Sequence, residues 1–129
     1  MAVTHSTAAR NAATNAVTAL LGASGMLRFR LAGSVGAPGA AVATLSLAAT
    51  AFGASSGGTA TAGAISSDTN ATGNASAVAT ATLETSGGTV VIHCGVAASG
   101  SDINMSNGLI VAPGDTVSCS SLTYTALSA

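Results

Sequence analysis

Charge and aromatic surface are what this chain has least of. Charged residues are 5% of its 129 and aromatics 2%, against about 25% charged in an ordinary soluble domain. Trp and Lys are missing, and Arg10, Arg28 and Arg30 are the only arginines. Three arginines and a net charge of −1 make no phosphate-tracking stripe. Neither nucleic acid nor an anionic membrane surface is expected as a partner. Thr, Ser and Gly interrupt every apolar run before the roughly 18 residues that a spanning helix requires. The opening residues show no basic segment followed by an apolar one, so no secretory signal is expected.

Cysteine is scarce as well. Cys94 and Cys119 fall in separate strand-like runs and are expected as reduced thiols packed like small apolar groups. A disulfide would need neighbouring strands with Cα atoms about 4.4–6.8 Å apart. Two Cys and two His without close spacing give no zinc signature.

What is present is Ala, Gly, Ser and Thr, with Leu, Val and Ile in short alternating runs. One domain is the prior for this length. Its core must be lean, because an Ala methyl removes little area from water at roughly 25 cal/mol per Å². Association would bury more apolar surface, and a net charge near zero offers little repulsion against it.

Residues 6–21 hold no Gly or Pro. Ala9, Ala12, Ala13, Ala16, Val17, Leu20 and Leu21 recur at spacings of three and four, which predicts a helix with a narrow apolar face. Arg10, Asn11, Thr14, Asn15 and Thr18 fall mainly on the other side. Thr4 or Ser6 suits the N-cap and Gly22 the C′ position. The apolar face is expected to pack on a sheet or a neighbouring subunit.

From Met26 the period switches to two. Leu27, Phe29 and Leu31 alternate with Arg28 and Arg30, a half-buried strand. Ala43, Leu45 and Leu47 make a second strand. Residues 59–65 and 76–83 read as Thr/Ala strands with edges open to a partner. Val90, Ile92, Cys94 and Val96 form a buried face. Shorter runs follow at Ile103 and Met105 and at 109–111. A final strand spans 116–125, where a parity change suggests a bulge near Ser120 and Ser121. Turn signals every 8–12 residues or so predict an antiparallel β-sandwich or jelly-roll-like domain over 26–129, preceded by a helical arm over 1–25. Phe29, Leu45, Leu47, Ile92, Val96 and Val117 are the predicted core.

Chemistry-bearing residues are few and scattered. His5 lacks the orienting acid and oxyanion hole that a Ser–His pair needs. His93 alternates with Ile92 and Cys94 and is expected to face solvent or a neighbour. Asp68, Glu84, Asp102 and Asp115 fall at turns or strand ends, where carboxylates accept backbone N–H bonds. Asp68-Thr69-Asn70 is too sparse for a calcium loop. The Asn-x-Ser/Thr patterns at Asn70, Asn74 and Asn104 are expected by chance in so Ser/Thr-rich a chain. The paired glycines at 57–58 and 87–88 read as turns, not a phosphate cradle. No catalytic, cofactor-binding or metal-binding residue is assigned, and no enzyme is expected.

The opening run from Met1 to Ala12 resembles the start of a group of small virion proteins of tailed bacteriophages. Ala51-Phe52-Gly53, Gly58-Thr59-Ala60-Thr61-Ala62 and Ile65-Ser66-Ser67-Asp68 are similar to that group too. So are Ala112-Pro113-Gly114-Asp115-Thr116-Val117 and Ser120-Ser121-Leu122-Thr123-Tyr124-Thr125. The resemblance spans nearly the whole chain and carries no catalytic motif. It implies a structural component of the particle, assembled in the host cytoplasm. The most concrete form of that expectation is a capsid cement or decoration protein that bridges shell subunits, with itself and the major capsid or tail proteins as partners. A tail, collar or fibre-attachment protein is the alternative. A small carbohydrate-binding module or hydrolase is a further one, disfavoured by the absence of Trp from any sugar platform.

Overall fold

The computed structural model describes residues 3–129. Helix α1 spans Thr7–Ala19, capped by Ser6, whose hydroxyl accepts from the Ala9 N–H at 3.2 Å. The chain leaves it through Gly22 at φ +70°, a left-handed position that favours glycine after a helix.

Strands β1 (Met26–Arg30), β2 (Ala41–Ser46), β4 (Thr80–Glu84), β5 (Val90–Ala97) and β6 (Ile103–Asn104) form one sheet in the order β2-β1-β4-β5-β6. All its pairs are antiparallel except β5–β6. Strand β3 (Thr59–Thr61) pairs with β7 (Thr123–Thr125) in a second, two-stranded sheet. The fold is mainly β and sandwich-like, with one helix.

The alternation in β1 decides which face of the large sheet is the core. Leu27 lies opposite Leu45 and Leu83, and Phe29 opposite Ala43 and Ala81. All six are buried. One row is thus all Leu, and the next sets the large Phe29 between two Ala, an arrangement that lets a lean sequence pack densely. Of the predicted core, Phe29, Leu45, Leu47, Val96 and Val117 are buried, and Ile92 is half-buried against them.

Several predicted strands differ. The run over 76–83 is neither at those bounds nor an edge: β4 lies between β1 and β5, and all five of its residues are buried. Thr and Ala look like edge composition, yet they suit a central strand flanked by Leu and Phe rows. The run over 59–65 keeps only β3, after which Ala62 and Ser66 make isolated bridges to Phe52 and Ser46. Residues 109–111 form no strand, and only β7 and a bridge at Val117 remain of 116–125. No bulge forms near Ser120. Register shifts occur instead between Phe29 and Arg30 and between Leu83 and Glu84.

Beyond β2 the ladder continues through single bridges, Ser46 to Ser66 and then Asp68 to Val117. This curls the sheet, and the segment after Val117 comes to share one open cleft with β6 at the far edge.

Candidate functional site

The side chains with chemical potential do not converge. The exposed His5 holds the Ala129 carbonyl through Nδ1 at 2.7 Å. His93 stands opposite Thr82 on β4. It does not face solvent freely, being half-buried, and its Nε2 has no partner among the described residues. Asp68 accepts from the Thr44 and Asn70 N–H groups, Asp102 from Gly95 and Asp115 from Ala112, all as expected for turn carboxylates. Among the described residues no three of His, Cys, Asp and Glu gather as metal ligands would. Cys94 and Cys119 are free and half-buried. Burial, with the Asp102 charge, pushes the Cys94 thiol up to about 11, and burial raises Cys119.

Glu84 lies at the end of β4, a strand end as expected, but accepts from side chains and not from backbone N–H groups. It has 0% exposure and lies on the polar face of the sheet. Arg30 Nη2 donates to its Oε2 at 2.8 Å and Arg28 Nη1 to its Oε1 at 3.3 Å, with the Thr82 hydroxyl as a third donor. Arg30 also donates through Nη1 to the Gly39 carbonyl at 2.7 Å, tying the loop after β1 to the cluster. Burial opposes ionisation of Glu84. The Thr82 and Arg30 hydrogen bonds and the two arginine charges outweigh it, so its pKa lies below the ordinary value. The signal was in the sequence: Arg28 and Arg30 share a face by period two, as do Thr82 and Glu84. The pairing of β1 with β4 brings the two faces into register.

The helix is rotated from its expected orientation: of the predicted apolar face Leu21 is buried and Ala13 and Val17 are half-buried. Its buried residues are Thr14 and Thr18, while Ala9, Ala12, Ala16 and Leu20 are exposed, Leu20 to 64%. The polar side binds backbone. Thr14 Oγ1 donates to the Gly58 carbonyl at 2.6 Å and accepts from the Ala126 N–H at 3.1 Å. Asn11 Oδ1 accepts from the Gly58 N–H at 2.8 Å, and Asn15 Oδ1 from the Ser55 N–H at 2.9 Å. Arg10 Nε donates to the Leu127 carbonyl at 3.0 Å. Gly58 admits this contact because φ is +86° and a Cβ there would lie 2.9 Å from Arg10 Nε. Buried loop backbone must find partners, and an Ala methyl has none to offer. Asn11, Thr14, Asn15 and Thr18 recur at helical spacing, a signal in plain view that the apolar stripe overshadowed.

The docked helix therefore presents an apolar stripe outward, with Val3 exposed to 77% beside it in sequence. This stripe is the surface best suited to a macromolecular contact. The open cleft, of about 650 Å³, is the other concave feature, with Phe29 among its lining. No helix among the described residues is long and apolar enough to cross a membrane.

Comparison with known proteins finds no matching family model, no matching curated protein and no matching solved structure.

Proposed function

We propose that this chain is a non-enzymatic structural protein of a tailed-bacteriophage particle, acting as a capsid cement or decoration protein that associates with itself and bridges shell subunits. The observation that carries the reading is the outward apolar stripe of α1. A helix that satisfies its polar side inside the fold and leaves Ala9, Ala12, Ala16 and Leu20 in water is built to bury that side elsewhere. Small side chains permit close approach of a flat protein surface. The scarcity of charge and the resemblance of the chain to small phage virion proteins support the same reading. A protein that binds the assembled shell and not its separate subunits stabilises the shell by mass action, with no reaction required.

Co-sedimentation with particles lacking the protein tests this. The unaltered chain should pellet with them, and A12E/A16E should stay in the supernatant while keeping its circular dichroism. An unaltered chain that runs as a stable monomer and never pellets overturns the proposal. Copy number per particle separates the locations: hundreds fit a capsid, and a dozen or fewer fit a neck or fibre attachment.

A further inference from the structure

We infer that the cleft between β6 and residues 118–121 receives a short extended segment, bearing a Lys or Arg, from a different protein. Three features of the cleft converge on that occupant.

The first is backbone. Strand β6 is the last of its sheet, so its outer edge is unpaired. On the opposite wall Val117 exchanges both hydrogen bonds with Asp68, at 2.8 and 2.9 Å. The N–H groups of Ser118, Cys119, Ser120 and Ser121 then find no partner among the described residues. Two walls with open main-chain groups, on one curled sheet, are a template for an added strand.

The second is size. The cleft of about 650 Å³ lies within the roughly 300–1,000 Å³ of ligand sites, which suits a segment of a few residues. Half-buried Ile103, Met105 and Leu122 and the exposed Ile110 line it, so apolar side chains of an inserted strand would meet apolar partners.

The third is charge, and it names the source. Asp102 and Asp115 line the cleft, and no basic residue does. Each carboxylate engages the backbone through Oδ2, leaving Oδ1 for a cation. A second copy is poorly placed to supply one. The chain has no Lys, Arg10 holds the Leu127 carbonyl, and Arg28 and Arg30 hold Glu84. The occupant's cation comes from another protein.

This names the kind of segment an assembly partner presents and so rests on the assembly reading. The test nevertheless uses the free protein alone. Either experiment can therefore fail while the other succeeds. The probes are two blocked pentapeptides, Thr-Val-Lys-Val-Thr and Thr-Val-Glu-Val-Thr, titrated to millimolar concentration against isotope-labelled protein. The Lys peptide should shift the amide resonances of residues 118–121 and of Asn104 and slow their hydrogen exchange. It should bind about three- to tenfold more tightly than the Glu peptide. In D102N/D115N, where the amide oxygens still accept the Gly95 and Ala112 N–H bonds, the two peptides should bind alike. Absence of slowed exchange at 118–121 with either peptide overturns the proposal. Equal binding of the two peptides by the unaltered protein overturns it as well.

Discussion

Arg30 reaches along β4 past Thr82 and sets its Nη2 2.8 Å from Glu84 Oε2, while Arg28 holds the other carboxylate oxygen at 3.3 Å. Two arginines, of the three in the chain, are thus spent on one carboxylate that solvent does not touch. Their side chains form its cover, 12% and 29% exposed respectively. Such a cluster contributes modest net stability when whole and costs more when broken, because the surviving charges lose their partner.

Glu84→Gln should therefore lower the unfolding free energy by about 1–3 kcal/mol at neutral pH, read from urea denaturation. The pH dependence has a definite sign. The folded pKa of Glu84 is depressed, so its contribution is present above the unfolded value of roughly 4.3 and is lost as pH falls through the lower folded value. Urea midpoints of the unaltered protein should drop across that acid window. Those of E84Q should lack this component of the drop, and parallel curves would refute the assignment.

Phe29 supplies the large member of its row, facing Ala43 and Ala81. Alanine neighbours cannot close the void, so Phe29→Ala should cost about 3–5 kcal/mol. Ile110, 65% exposed, is the matched surface control. Ile110→Ala should stay within about 0.5 kcal/mol of the parent in the same urea titration.

Thr14→Val keeps the volume and removes the hydroxyl shared by Gly58 and Ala126. Two backbone groups then lose a partner, at about 1–3 kcal/mol. Ala12→Ser on the opposite side of α1 should change stability by less than about 0.5 kcal/mol. Comparable losses at both positions, by thermal or urea melts, would contradict the docking of the helix through Thr14.

Cys94, with its thiol pushed up to about 11, should alkylate at pH 8 roughly two-hundredfold more slowly than a free cysteine of pKa about 8.5. Its rate should climb steadily toward pH 11. Peptide mapping by mass spectrometry after timed iodoacetamide treatment measures this, and a fast Cys94 at pH 8 would contradict its burial.

The mainly β architecture, the single helix with a cap at Thr4 or Ser6, and the core face of β1 were legible in the residue pattern, because Leu27 and Phe29 against Arg28 and Arg30 leave one side chain set that can leave water. The sequence also determined where Asp68, Asp102 and Asp115 turn the chain, since short carboxylates bind nearby N–H groups wherever they lie. Tertiary structure decided the rest. A Thr/Ala run such as β4 has no face of its own, so only its neighbours β1 and β5 could place it at the centre of the sheet. Glu84 became buried because register set two arginines across from it. The side of α1 that faces inward was decided by the unpaired backbone at Ser55, Gly58 and Ala126, groups remote in sequence whose need for partners outweighs the burial of a few Ala methyl groups.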